Sequence, residues 1–347
     1  VLERLVIPAL PITYDLVAQT RPDLIVGTPL SLGARVAHDK LRIPYATVNL
    51  APTIFLSTEA PPHLPFHLAQ LPKWLLRGFF RLFDVASDHV IARPVNEFRR
   101  AHGLPPVRRI LRDYWHSPQL PLCLFPDWFA SPDSRIPSDW PASARLTGFV
   151  LYDESDVFPL PPELEAFLNA GPPPIVFTPG SAMTRGHDFF AQSLAAVRSL
   201  NARAIFLTRC ADQLPQGIPS PAPANPAPAD APIVHFPFIP LSKLLPRCAV
   251  LVSHGGIGTI AQGLATACPQ LVMPMTHDQP DNAQRVANLG AGLVLPRSRY
   301  SAARLIPLLR ELLDNPIYKH NVRVLAQRID AGTARSAACA ALESLLV

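Results

Sequence analysis

The sequence predicts an α/β protein of two domains, each organised on a parallel sheet. Three observations carry that prediction. The chain has 347 residues, 48% of them apolar, enough for two cores of ordinary domain size. Short apolar runs alternate with helix-period segments, the pattern of βαβ units. Residues 249–282 (AVLVSHGGIGTIAQGLATACPQLVMPMTHDQPDN) join a strand, a glycine turn, a helix and a second strand in one unit.

The elements follow in order. Residues 1–20 have a helical period, with Pro11 inside it or breaking it. Pro22-Asp23 leads into a strand at Leu24–Val26, then a helix over 30–41 and a strand at Tyr45–Asn49. His38 and Asp39 read as a solvated helix face, with no partner nearby in sequence. Residues 51–68 are a proline-rich loop. His63 and His67 have a metal-ligand spacing, but Pro65 between them disfavours the helix such a site needs. Residues 70–83 (QLPKWLLRGFFRLF) form an amphipathic helix with Lys73, Arg77 and Arg81 on one stripe. That helix suits a surface position, a pocket wall or a peripheral membrane contact. A further helical stretch, 85–102, stops at Gly103-Leu104-Pro105-Pro106, and strands are expected at Leu120–Phe125 and Arg145–Val150.

The first domain is expected to span 1–150, with an interdomain connection over 151–172 and a second domain over 173–347. The second domain opens with a strand at Ile175–Thr178 and a turn at Pro179-Gly180-Ser181. A helix over 187–200 and a strand at Ala204–Thr208 follow. Residues 213–232 (QLPQGIPSPAPANPAPADAP) can form neither a helix nor a central strand, and read as an extended, mobile surface excursion. A strand at Val234–Phe238 leads to the glycine unit. Helices over 301–314, 316–330 and 333–346 close the chain.

Composition narrows the function. The formal charge is +5 and the sequence pI about 9.1, with no dense Lys/Arg run. That argues against nucleic acid and suits an anionic nucleotide. Five scattered cysteines without a C-x-x-C pair argue against a zinc site or disulfide framework and place the chain in the cytoplasm. No apolar run is long enough to span a membrane. No methionine opens the chain, no histidine precedes His38, and the chain enters at a helix. The expectation is a first domain that lacks its start.

The glycine unit points to a phosphate or diphosphate. Glycines let backbone N–H groups approach an anion, and the following helix adds its positive end. Gly256, Gly258 and Ala261 also satisfy a dinucleotide fingerprint, with Asp278 about twenty residues further on. His254, placed to donate to a phosphate, and the late position of the unit favour a different nucleotide.

The stretch H-G-G-x-G-T followed by D-Q-x-x-N resembles the nucleotide-sugar signature of the GT-B glycosyltransferases of family 1, the UDP-glycosyltransferases and bacterial relatives acting on sterols, macrolides and rhamnolipid precursors. Weaker matches run through Pro22-Asp23-Leu24-Ile25-Val26, Asn96-Glu97-Phe98-Arg99, Gly103-Leu104-Pro105-Pro106 and Thr178-Pro179-Gly180-Ser181. The resemblance implies a GT-B fold, two Rossmann-like domains facing a cleft. It also implies transfer of a hexose from a UDP- or dTDP-sugar to a hydroxyl of an apolar small molecule or lipid, without a metal or other cofactor.

Carried onto this chain, the signature places His254, Gly255, Gly256, Gly258 and Thr259 at the diphosphate, and Asp278 and Gln279 at the sugar hydroxyls. Relatives often have Asn at the position of Gly258 and Ser at that of Thr259. Gln262 falls where the family commonly has a ribose-binding Glu. Ser181 resembles a glycine-serine turn facing the phosphates. Phe238, with Phe236 as the alternative, stands for the aromatic that stacks on the base. The family's base is a loop histidine after its first strand, and its helper Asp follows the strand equivalent to Leu24–Val26. This chain has Gly27-Thr28 at the second place and no counterpart of the first, so no catalytic residue is assigned. Residues 1–347 are therefore expected not to transfer sugar by the family mechanism. Two alternatives stand beside transfer: a non-catalytic nucleotide-sugar-binding fragment or pseudoenzyme, and an NAD-dependent oxidoreductase.

Overall fold

The computed structural model describes residues 2–63, 71–131, 133–181, 183–220 and 232–346. They form two compact units, 1–150 with 330–347, and 151–329. Among the described residues no helix is long and apolar enough to cross a membrane. His67, and residues 221–231 of the proline tract, lie outside the described residues.

The first unit contains α1 (Ala9–Thr20), β1 (Ile25–Gly27), α2 (Leu32–Leu41), β2 (Tyr45–Asn49), α3 (Lys73–Ala101), β3 (Leu120–Cys123), α4 (Asp127–Ala130) and β4 (Arg145–Leu146). Its sheet has the order β1-β2-β3-β4, all parallel. Tyr14 and Val17 of α1 pack with Ala34 and Ala37 of α2 against Ile25 and Tyr45 of the sheet. Gly33 makes the helix approach possible: a Cβ there would lie 2.1 Å from the Leu10 carbonyl oxygen.

Three features differ from the sequence expectation. The two helical stretches on either side of residue 84 are one helix, α3, of 29 residues with Pro94 inside it. Pro94 removes the hydrogen bond to the Val90 carbonyl, at a residue that is 40% exposed. Asp39 is no solvated helix residue. It pairs with Arg35 and Arg99 and accepts from the Tyr114 hydroxyl at 3.1 Å. Burial opposes its charge, but the two guanidiniums outweigh that and hold its pKa below the ordinary carboxylate value. The last helix, assigned above to the second domain, belongs to the first unit. Its Ala338, with Ala341 and Leu342, covers Ala46, Leu120 and Leu122 of the first sheet. Local periodicity shows that such a helix forms, not which sheet it covers.

His116 gives the first unit a pH dependence. It is 4% exposed, and burial pushes its pKa from 6.5 down to about 4. Between these values the unfolded chain binds the extra proton, so stability is lost as pH falls from 6.5 towards 4. The expected loss is about 3 kcal/mol. Denaturant titrations at pH 7 and pH 4.5 should show it in the parent protein and a much smaller loss in His116→Gln. Parallel losses in both would assign the pH dependence elsewhere.

The second unit contains α5 (Pro162–Asn169), β5 (Ile175–Thr178), α6 (His187–Leu200), β6 (Ala204–Leu207), β7 (Ile233–Phe236), α7 (Leu241–Leu244), β8 (Val250–Ser253), α8 (Ile257–Ala265), β9 (Gln270–Val272), α9 (Gln279–Asn288), β10 (Gly292–Val294), α10 (Ala302–Asp314) and α11 (Pro316–Ala326); α12 (Ala331–Glu343) is the helix that joins the first unit. The sheet order is β10-β9-β8-β5-β6-β7, all parallel. The chain thus starts at the centre, moves outward to β7, and returns to β8 beside β5. That reversal between β5 and β8 is the switch point at which doubly wound sheets bind ligands.

Both faces of this sheet are covered, so its strands are mostly apolar, with His235, Ser253 and Gln270 as buried polar exceptions. Ile175, Phe177 and Phe206 pack with α6 and α10. Val176, Ile205 and Val234 point the other way, onto Leu164, Phe167 and Leu168 of α5. The segment 151–172, expected as a connection, is therefore part of this domain. The start of the proline tract also packs on it. Gln213 is 1% exposed and bonds the Gly186 N–H at 2.6 Å and the Met183 carbonyl at 2.9 Å. His235 donates its backbone N–H to the Pro219 carbonyl at 2.8 Å. Leu214 and Ile218 rest on the core. The expected excursion thus does not begin at 213.

Candidate functional site: the glycine turn after β8

β8 is buried along its whole length and ends at Ser253. The chain then has to turn sharply under β9. Gly255 takes φ +87°, and a Cβ on it would meet Val272 Cγ1 at 2.7 Å. Gly256 caps α8 without a side-chain hydrogen bond. The first helical bond runs from the Ile260 N–H to the Gly256 carbonyl at 3.0 Å. The N–H groups of Ile257, Gly258 and Thr259 therefore have no partner inside the helix and form its positive end.

His254 sits between two glycines. A Cβ on Gly180 would lie 2.6 Å from its Cε1, and one on Gly256 2.7 Å from its Nε2. The turn after β5 and the turn after β8 thus both lack side chains where the imidazole needs room. Nδ1 is buried without a partner, which leaves Nε2 as the nitrogen that can reach a ligand. Burial lowers the His254 pKa, and the Asp278 carboxylate only partly opposes this. The ring is therefore neutral near pH 7, with one N–H to give.

A pocket of about 540 Å³ opens here, lined by residues from the C-terminal ends of β5, β6 and β8 and from the segment after β7. Ser181, Phe238, His254, Gly256, Gly258, Thr259 and Gln262, all singled out from the sequence, line it. Phe238 stands edge-on to Phe158 (centroids 5.2 Å apart, 90°) and lies under the Arg209 guanidinium at 5.4 Å. Phe236, the alternative, is 3% exposed in the sheet core. Gln262 is 6% exposed on α8.

Three expected residues do not line this pocket. Gly255 shapes the turn from behind. The Gln279 carboxamide oxygen is occupied by the Met275 and Thr276 N–H groups, at 2.9 and 3.1 Å. Asp278 accepts from Asn282 Nδ2 at 2.8 Å.

Sequence reasoning missed Arg209 and gave no role to Asn282, the last residue of the D-Q-x-x-N segment. Arg209 follows β6 and brings a cation to the pocket. The signal for it was position alone: residues just after a strand of a doubly wound sheet face the ligand edge. Asn282 is fully buried and links two parts of the site, donating to the Gly255 carbonyl at 3.1 Å as well as to Asp278. Both partners accept, which fixes its NH2 towards them.

Residues 226–340 match the family described as "Erythromycin biosynthesis protein CIII-like, C-terminal domain". The O-mycaminosyltylonolide 6-deoxyallosyltransferase of Streptomyces fradiae is 31% identical over 258 residues, 72% of this chain and 55% of the relative. The vancomycin aglycone glucosyltransferase of Amycolatopsis orientalis is 33% identical over 266 residues, 76% of this chain and 60% of the relative. The chain thus spans little more than half the length of these relatives. Among solved structures, the glycotransferase of kitacinnamycin superposes with a TM-score of 0.66 at 20% identity, covering 99% of this chain and 80% of that one. The glycosyltransferase VinC in complex with dTDP gives 0.61 at 20% identity, covering 96% and 75%. The fold is GT-B, and the sequence is similar to these antibiotic glycosyltransferases, as the signature implied.

Proposed function

We propose that the protein transfers a hexose from a nucleoside diphosphate sugar, dTDP- or UDP-linked, to a hydroxyl of a small molecule or lipid with an apolar body. The observation that carries this reading is the neutral His254 wedged between two glycines beside an uncapped helix end. Nε2, the α8 N–H groups and Thr259 together suit a diphosphate. In transfer they would stabilise the charge that develops on the departing diphosphate. Ser181 would add a hydroxyl, Phe238 a ring for the base, and Gln262 an amide for the ribose. Five free cysteines support a cytoplasmic setting. No metal is needed in this scheme.

The test is release of nucleoside diphosphate from a dTDP- or UDP-hexose with phenolic, macrolide and hydroxy-lipid acceptors. Acceptor-dependent release, lost in His254→Ala, supports transfer and overturns the sequence expectation that residues 1–347 do not transfer sugar by the family mechanism. His254→Ala should also weaken nucleotide binding by roughly 1–3 kcal/mol. Binding without release would select the non-catalytic reading.

Asp278 and Gln279 keep their proposed place at the sugar. Gln279 retains its NH2, and Asp278 its second carboxylate oxygen, for hydroxyls. Asp278→Ala is expected to weaken the nucleotide sugar more than the free nucleotide in parallel calorimetric titrations. Equal weakening would make Asp278 purely a support for Asn282.

A peripheral lipid contact is proposed for α3, where Trp74 is 71% and Leu82 68% exposed. Co-sedimentation with anionic vesicles, abolished in Trp74→Glu/Leu82→Glu, is expected; no sedimentation of the parent protein would exclude it.

A further inference from the structure

A second cavity, of about 1030 Å³, lies in the first unit and shares no residue with the glycine-turn pocket. Part of its lining is a stack of three rings. Phe55 lies against His116 (centroids 4.8 Å apart, 21°) and against Trp140 (4.2 Å, 29°). The rest is strongly charged, with Arg77 and Arg81 from α3 and Arg108 to Asp113 from the segment before β3 contributing most of the charge.

The carboxylates that line the cavity are all engaged. Asp84 pairs with Arg112 at 3.1 Å, and Asp113 with Arg109. Asp88 accepts from the N–H groups of Arg109 and Ile110, at 2.6 and 2.9 Å. Asp139 accepts from Ser57 and the Thr58 N–H, both at 2.6 Å. Glu59 accepts twice from Ser138, at 2.7 Å. Three guanidiniums, Arg77, Arg81 and Arg108, line the same cavity and have no acid or acceptor among the described residues. With Arg35 turned to Asp39, the lining carries five arginines against five carboxylates and no net surplus. The three arginines stand out because their guanidiniums, unlike the carboxylates, have donors left to give. Guanidinium groups select planar or tetrahedral oxyanions through paired hydrogen bonds.

We propose that this cavity binds a ring-bearing small molecule through an oxyanion, a carboxylate or a phosphate, held by Arg77, Arg81 and Arg108. The ring body belongs against Phe55 and Trp140 and the anion at the arginines. The inference goes beyond the nucleotide pocket and does not rest on glycosyl transfer. If transfer also holds, this cavity favours an acceptor that carries a negative charge as well as an apolar body.

Calorimetric titration of the full chain tests it, with 1-naphthoate, 1-naphthyl phosphate, 2-naphthol and inorganic phosphate as probes. Both aryl oxyanions are expected to bind saturably and to compete, with 2-naphthol about tenfold weaker or worse. Arg77→Gln/Arg81→Gln should weaken the aryl oxyanions about tenfold or more. These two side chains are exposed and unpaired, so the variant should melt with the parent protein. His254→Ala should leave the aryl oxyanions unaffected. Equal binding of 2-naphthol, indifference to the arginine variant, displacement by inorganic phosphate as effective as by the aryl probes, or loss of binding in His254→Ala would each overturn the proposal. So would the absence of saturable binding.

Discussion

The Gly256→Ala protein is expected to bind dTDP and UDP about a hundredfold more weakly than the parent protein, and to melt within a few degrees of it. Gly256 has φ −60° and ψ 136°, a conformation alanine adopts without strain. The backbone therefore accepts the methyl group. The imidazole does not, because the new Cβ would lie 2.7 Å from His254 Nε2 and 3.0 Å from Cε1. Gly180 also crowds the ring, since a Cβ on it would lie 2.6 Å from Cε1. His254 must leave its position, and the methyl group stands beside the helix end where the diphosphate is to sit. Gly258→Ala probes the ligand side of the turn: no protein atom lies within 4 Å of a Cβ there, so any loss of affinity comes from the methyl group meeting the ligand and not from a displaced His254. Nucleotide affinities are the measurement. Equal affinities for Gly256→Ala and the parent protein would separate the glycine turn from the ligand.

Asn282→Ala is expected to have the largest effect on the stability of the second domain. The side chain is fully buried and its NH2 serves two acceptors, the Gly255 carbonyl and the Asp278 carboxylate. Its loss leaves a buried carbonyl without a donor and a small void. The expected cost is about 2–3 kcal/mol, a fall in Tm of about 5–10 °C for a domain of this size. Affinity should fall too, because Gly255 holds a left-handed conformation at φ +87° that this bond braces. Thermal unfolding read by circular dichroism checks the first part and dTDP titration the second. A variant that melts with the parent protein would show that water replaces the carboxamide.

Much of the second domain was legible because its physics is local. Strands of a parallel sheet covered on both faces read as near-continuous apolar runs, and Ile175–Thr178, Ala204–Leu207 and Val250–Ser253 do so up to the polar Thr178 and Ser253 at their ends. The glycine turn was legible because a sharp reversal beside a histidine leaves few residues to choose from. The pocket then brought together Ser181, Phe238, His254, Gly256, Gly258, Thr259 and Gln262, which are spread over about eighty residues of sequence.

What was not legible depends on contacts distant in sequence. Asp39 reads as an exposed acid until Arg99 and Tyr114 arrive from 60 and 75 residues away. The last helix has an ordinary amphipathic pattern, and only packing shows that Ala338 covers the first sheet. Gln213 opens a proline tract yet is buried, because its carboxamide bonds the backbone at Gly186 and Met183. The amphipathic stripe of α3 gave a basic face but not the charged cavity it lines, since the opposing arginines lie beyond the helix.

The central claim is that the pocket after β8 takes a nucleoside diphosphate of the kind carried by sugars. The most direct measurement is a calorimetric comparison of dTDP, UDP and NAD on the same protein, repeated with Gly256→Ala. The account predicts saturable binding of dTDP or UDP, its loss in the variant, and at most weak binding of NAD. Saturable binding of NAD, lost in Gly256→Ala, with no response to dTDP or UDP, would contradict it.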